Sequence, residues 1–551
     1  MSEATMAITR TTSKPRCGCA LHEYSHTSTF HYRRCSVTPC RLRCATVILS
    51  AASVLAASTV QAETWRLVSS LGLLETLTNN VNLAPSGSAR SDLVTQLTPT
   101  LSVSELGART RLTGSLSMPV VLYARTSSDN NDQVYAQASL NGTVEAVQKF
   151  FFIDGTVLVS QQYLSPLGPQ PVGLANATQN RYTSQSYSVG PYIKGRTLGD
   201  VEYLIRDDNQ WTKASGAVAS GVNAAYTNHF LANATKLAGP LGWAVEYDRN
   251  SVTFESQPQL RTQLGRLRLL DSPDPQLQLS ASVGYEDNDF GLTQDRGTIY
   301  GVGAKWHPSD RTVMDASWEH RFFGASYLFN FTHRMPLTVL SLNASRNITS
   351  FPQQLATLTP GSDVQSLLNQ LFFSSIPDPA QRQTFIDQFI RNRGLPAVLS
   401  GPVNLFSDQI TLVQQVTASA GLIGARNSVF ISLFHTRQQP VSATNSDLSG
   451  LLAAQNNNTQ NGASVVWTHA LTPSTVFSLT GTASRGVSDV AQTEMGGSAT
   501  SKQGAITANL STPLSANTSA TAGLRYQVFR SDLSSNYTEA AAFVGVNHAF
   551  R

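Results

Sequence analysis

The chain has 551 residues and only 13% of them are charged, which argues against a cytosolic enzyme and suits strands that face lipid on one side and water on the other. The formal net charge of +4 belongs to the first 62 residues. Without them the balance of 39 basic against 35 acidic residues becomes 32 against 33, and the compositional case for binding nucleic acid disappears.

Ala45 to Val60 is an apolar run with Arg41 and Arg43 before it and Val60-Gln61-Ala62 after it. A basic flank, a short apolar segment and small residues read as a secretory signal peptide. Residues 1–62 are therefore predicted to be leader and signal, with cleavage after Ala62. No Met lies between Met6 and Met118, and a non-ATG start near Val37 accounts for the unusual length upstream. All five cysteines (Cys17, Cys19, Cys35, Cys40 and Cys44) lie in this leader, without zinc-like spacing, so no metal or disulfide framework is expected. Nothing in the chain implies a cofactor.

Beyond Ala62 no apolar run approaches the roughly 20 residues of a membrane helix, whereas alternation is plain. Thr312, Met314, Ala316, Trp318, His320 and Phe322 share one parity, while Asp315, Ser317, Glu319 and Arg321 share the other. Tyr327, Phe329 and Phe331 against Asn330, Thr332 and Arg334 repeat the pattern. It recurs at Thr521–Arg530, more weakly at Val476–Arg485, and in Ala540–Phe550, where Ala542, Val544, Val546, His548 and Phe550 line up. One apolar and one polar face is the signature of a strand between lipid and an aqueous lumen.

Short Pro-containing turns at His307–Asp310, Leu471–Thr475 and Ser511–Leu514 alternate with longer polar stretches at Glu286–Arg296, Gln438–Asn461 and Val487–Thr500. Counting back from the C-terminus puts the turns at the periplasmic rim and the stretches outside. Residues 63–551 are predicted to form one all-β, up-and-down antiparallel transmembrane barrel of about 20–22 strands. Phe550 is expected to be the signal read by the barrel-assembly machinery.

Residues 351–407 break the pattern. Ser362–Leu371 and the run opened by Asp378-Pro379 and closed by Gly394 carry helix signals, so a helical insert in one external loop is predicted, as plug or lid. Phe385 and Phe389, with Ile386 or Ile390, form its apolar stripe.

The pieces SVGYEDNDF (Ser282–Phe290), Trp306-His307-Pro308, WEHRFF (Trp318–Phe323) and PDPAQR (Pro377–Arg382), with Thr76–Leu83 and Ser91–Val103, resemble the outer-membrane barrel proteins associated with the PEP-CTERM/exosortase system. That resemblance implies a Gram-negative outer-membrane protein linked to export or assembly of exopolysaccharide or surface material. Its partners would be outer-membrane lipid, the assembly machinery and polysaccharide or its export components. The resemblance carries no catalytic residues.

Lys305, Asp315, Glu319 and Arg321 would project into the lumen, either setting pore selectivity or bracing the wall. Tyr285–Asp289 forms an acidic turn with oxygens suited to Ca²⁺, though without EF-hand spacing; a solvated external loop would look the same. Trp306 and Trp318 suit interfacial belts. The histidines pair with no G-x-S-x-G or H-E-x-x-H motif, so no catalytic residue is assigned. A porin-like conduit is the leading reading, and a non-conducting scaffold and an outer-membrane enzyme are the alternatives.

Overall fold

The computed structural model describes residues 65–550 except 127–132, 216–223, 256–257, 292, 358–361, 374, 393–394, 396–398, 400, 405–408, 442–456 and 491–496. The predicted leader, its cleavage site and the start near Val37 lie outside the described residues.

In chain order the strands are β1 (Arg66–Thr78), β2 (Asp92–Leu106), β3 (Thr110–Ser117, resuming as Val120–Tyr123), β4 (Gln133–Val134, resuming as Gln137–Val147), β5 (Phe151–Tyr163), β6 (Arg181–Arg196), β7 (Val201–Ser215) and β8 (Ala224–Ala238). They continue as β9 (Leu241–Phe254), β10 (Leu260–Asp274), β11 (Leu277–Asp289), β12 (Gln294–Ser309), β13 (Thr312–Arg321), β14 (Gly324–Arg334) and β15 (Thr338–Ser350). The last seven are β16 (Ile410–Ile423), β17 (Asn427–Pro440), β18 (Asn458–Ala470), β19 (Val476–Val490), β20 (Gly497–Pro513), β21 (Thr518–Ser531) and β22 (Tyr537–Phe550). Each pairs antiparallel with its neighbours, and β1 pairs with β22 from Ser69↔Phe550 to Thr78↔Ala541, so the sheet closes as a 22-stranded barrel. Closure leaves no unpaired edge, which is what a sheet surrounded by lipid requires. Strand β3 breaks at Pro119, which has no N–H to give the ladder.

The alternation sorts side chains as expected. Val544, Val546 and Phe550 on β22, and Val302, Tyr300 and Trp318 on β12 and β13, stand exposed on the outer wall. Glu319 and Arg321 of β13 turn inward, where Arg266 and Glu286 meet them. Trp306 and Trp318 are both exposed on the outside, in keeping with belts. One rim carries turns of two to five residues and the other carries loops as long as residues 351–409. By the usual arrangement the short-turn rim, where β22 ends, is periplasmic.

Three stretches read as external loops are shorter than predicted. The connections are 290–293, 441–457 and 491–496, because flanking polar residues continue the ladder beyond any lipid. The acidic turn is corrected with them: Tyr285–Asp289 is the end of β11. Glu286 and Asn288 are buried inside the barrel while Tyr285 is exposed outside, and Asp287 pairs with Arg296 at 2.9 Å. Alternate residues of a strand point opposite ways, so these five oxygen-bearing groups cannot converge on one cation. Among the described residues no cluster of three His, Cys, Asp or Glu is placed to hold a metal.

The insert comprises α1 (Phe351–Thr357), α2 (Ser362–Phe372) and α3 (Pro379–Asn392). Asp378 caps α3, its Oδ1 accepting from Gln381 N at 2.7 Å, with Pro379 at the first helical position. The short α1 was not legible in the sequence.

Candidate lumen site and its internal plug

The inner wall is chemically lopsided. From β5 to β13 it carries a belt of charges in contact. Arg206 on β7 bonds Asp154 on β5 at 2.6 Å and Asp208 at 2.7 Å. His229 on β8 meets Asp248 on β9 at 2.9 Å. Arg266 on β10 bridges Glu246 on β9 at 2.8 Å and Glu319 on β13 at 2.6 Å, with Arg268 beside both acids. From β16 to β20, by contrast, the four charged residues (Arg437, Arg485, Asp489 and Lys502) all stand on the outward parity, so the inner face there is built from hydroxyl, amide and apolar side chains.

The four lumen residues singled out in the sequence part company. Lys305 and Asp315 face each other across β12 and β13 near the periplasmic mouth, with His307 Nε2 3.9 Å from Asp315. Glu319 belongs to the Arg266 network. Arg321 is sealed against Glu286 at 2.7 Å, with the two side chains 7% and 0% exposed. It also donates to Asn347 Oδ1 at 2.8 Å, so it braces β11, β13 and β15 rather than meeting solute. The rest of the belt went unread, yet a signal was present: Arg206/Asp208, Glu246/Asp248 and Arg266/Arg268 are charged doublets at spacing two, the same signature as Glu319/Arg321.

The insert leaves the external rim after β15 and runs down the lumen. Val364, Leu367, Leu368 and Ile386 are buried in one cluster with Val339, Ile423, Phe430 and Val466 of β15–β18. Val339 and Ile423 lie next to the periplasmic ends of their strands. The tip reaches further still. Gln370 O accepts from Arg334 Nη1 at 3.2 Å, and Arg334 Cζ lies 5.1 Å from the centre of the Phe373 ring. Arg334, the last residue of β14, also donates to the carbonyl of Asp310 in the β12–β13 turn. A cavity of 560 Å³ lies there, between Phe373 and Pro377 of the insert and His307, Asp310 and Arg334 of the rim.

Of the apolar stripe of α3, Ile386, Phe389 and Ile390 meet the buried wall cluster and Phe385 lies at its edge. Ile386 is fully buried, whereas Phe385 is 38% exposed. Phe385 and Phe389 pack on Phe372 of α2, with ring centres 4.9 Å and 5.6 Å from it; Phe372 and Phe389 also pack against the buried wall cluster that contains Ile386, and Phe385 does not belong to it. Helix geometry allows a neighbouring position to take the core-facing direction, and bulk alone does not choose between them.

A second inward segment was missed altogether. Residues 164–180, rich in Pro, Gly and Asn, fold across the lumen to β20–β22. Pro166 O accepts from Ser501 Oγ at 2.7 Å, Leu167 O from Ser531 Oγ at 2.8 Å, and Gln527 Oε1 from Val172 N at 3.1 Å. Arg525 Nη2 donates to Asn176 Oδ1 at 2.9 Å and to Glu539 Oε1 at 2.7 Å. Backbone carbonyls satisfied by distant side chains leave no periodicity in the sequence, so nothing local marks this loop as turned inward. Near the external ends of the strands, Val252, Phe254, Leu260, Phe290 and Ile410 close up in an apolar cluster drawn from β9 to β16.

A closed barrel with an apolar outside, a polar inside, short turns at one rim and long loops at the other is an outer-membrane β-barrel. No protein-family model and no curated protein matches the chain. Among solved structures it is similar to the FrpB iron transporter of Neisseria meningitidis, at 8% identity over 88% of this chain and 81% of that one, with a TM-score of 0.47. It is also similar to the siderophore receptor PirA of Pseudomonas aeruginosa (10% identity, 89% and 82% covered, TM-score 0.36) and to the outer membrane protein opdK of the same organism (9%, 88% and 99%, TM-score 0.31). Nothing about cargo follows from likeness at this level.

Proposed function

We propose that this chain is a gated outer-membrane conduit for export or assembly of exopolysaccharide or related surface material, in the setting of the PEP-CTERM/exosortase system that its sequence resembles. The observation that carries the reading is the path of the insert, which enters from the external rim, reaches the periplasmic turns with its tip and returns to the external rim. A barrel of 22 strands encloses a lumen too wide to be filled by its own wall side chains, and a movable plug is the simplest way to keep such a lumen closed between transport events. No catalytic chemistry enters this reading. Its partners are lipid, the assembly machinery and the polymer or its export components.

Loss of the protein from its cell should trap surface polymer in the periplasm and deplete it outside. Normal extracellular polymer in the deletion strain would sink the export role. The second reading, a non-conducting scaffold, draws on the fact that two separate segments, the insert and residues 164–180, both occupy the lumen. A barrel that never conducts, with or without the insert, would favour it.

A further inference from the structure

The wall beneath the insert is chemically wrong for what covers it. On the inward parity of β17 and β18 the paired residues are Ser428/Thr468, Phe430/Val466, Ser432/Ser464 and, past Phe434/Gly462, Thr436/Gln460. Only the Phe430/Val466 rung belongs to the insert's apolar cluster. The hydroxyls of Ser428, Ser464, Thr468 and Thr436 are sealed, their residues no more than 1% exposed, and none finds a hydrogen-bond partner among the described residues. Buried hydroxyls without partners are penalised, and natural cores avoid them. Gln460 shows what the wall does with a partner: its Oε1 accepts from Val403 N at 2.8 Å and its Nε2 donates to Val403 O at 2.9 Å. The returning segment of the insert thus supplies one donor and one acceptor side by side, as adjacent hydroxyls on a sugar ring would.

The geometry points to this hydroxyl and amide face of β17–β18 as a binding track for a neutral, polyhydroxylated polymer, which the insert covers in the closed barrel. Neutrality follows from the absence of charge on the inward faces of β16–β20, against the charged belt opposite. The inference rests on the conduit reading and adds the class of cargo and the place where it binds. A polymer that satisfies the orphaned hydroxyls binds the uncovered wall and not the covered one, so it also shifts the insert toward its displaced state.

The test uses three probes of matched hydrodynamic radius: neutral dextran, dextran sulfate and polyethylene glycol. In planar bilayers, a barrel with residues 354–406 replaced by a short polar loop should be blocked by dextran with dwell times at least tenfold longer than by polyethylene glycol, and longer than by dextran sulfate. The triple variant Ser428→Ala, Ser464→Ala, Thr468→Val should bring the dextran dwell down to the polyethylene glycol level. The same triple variant in the intact chain, which removes orphaned hydroxyls, should raise the melting temperature of the insert. A second arm needs no deletion: a fluorophore on Ser375→Cys, at the exposed insert tip, should report displacement by dextran and not by the other two probes, and the triple variant should abolish it. Equal dwell for all three probes, longest dwell for dextran sulfate, or indifference to the triple variant would overturn the inference. A deletion barrel that conducts no better than the parent would instead count against the conduit reading, and the fluorescence arm would then decide the binding track alone.

Discussion

Arg525 of β21 and Glu539 of β22 form a bidentate pair inside the barrel, Nη2 to Oε1 at 2.7 Å and Nε to Oε2 at 3.2 Å, and the same guanidinium holds Asn176 of the loop 164–180. Their side chains are 7% and 0% exposed. Breaking a buried pair from one side strands a charge and costs about 3–5 kcal/mol, whereas replacing both partners by apolar groups is often tolerated. Arg525→Ala should therefore lower barrel stability and make residues 164–180 a site of protease nicking, while Arg525→Met with Glu539→Leu should recover most of the stability. Heat-modifiable gel mobility and limited proteolysis read both. Equal stability of the single and double variants would mean the pair carries no such weight.

Neighbouring positions test which face is which. Ala316 lies on the outer wall between Ala304 and Phe329, and Ser317 faces the lumen. Arg at position 316 should destabilise the barrel by about 2–4 kcal/mol, the range for a cation on the lipid face near mid-membrane, and Arg at 317 should be tolerated. Unfolding titrations in lipid vesicles give the comparison, and reversed sensitivities would invert the faces.

How much of this could be read in the sequence depended on whether a residue's partner lies at a fixed spacing. Val544, Val546 and Phe550, or Trp318 against Glu319, announce a barrel because position parity alone sets their environment, and the strand count followed from turns such as Leu471–Thr475. The insert was visible through Asp378-Pro379, a local cap. What stayed hidden was set by contacts across the lumen. Nothing local distinguishes Ile386 from Phe385 as the wall contact, and Pro166, Leu167 and Val172 meet Ser501, Ser531 and Gln527 more than 300 positions away. The ends of β11 were misread because Glu286 and Asp287, taken together, look like a loop, although one is buried inside and the other faces out.

The end of the chain carries a prediction of its own. Phe550 is paired with Ser69 at the closing seam and is exposed on the outer wall. Phe550→Ala should reduce assembled barrel in the outer membrane several-fold and raise envelope stress, while removing Arg551 should change little. Heat-modifiable band intensity in membrane fractions measures it, and equal intensity for Phe550→Ala and parent would refute the assembly role.

The anchor of the plug is Ile386 rather than Phe385. Ile386→Ser places a hydroxyl in the buried cluster and leaves a cavity, at about 2–5 kcal/mol for a truncation of this kind. Phe385→Ser disturbs only the half-exposed contact between α2 and α3. Open probability in single-channel recordings should therefore rise clearly for Ile386→Ser and modestly for Phe385→Ser. The opposite ranking would show that the helices are held by each other and not by the wall.

If the insert fills the passage that residues 164–180 leave free, single-channel conductance of the refolded protein should change when residues 354–406 are removed. The shortened protein should remain a heat-modifiable barrel and pass severalfold more current than the intact chain. A folded barrel whose conductance equals that of the parent would contradict it.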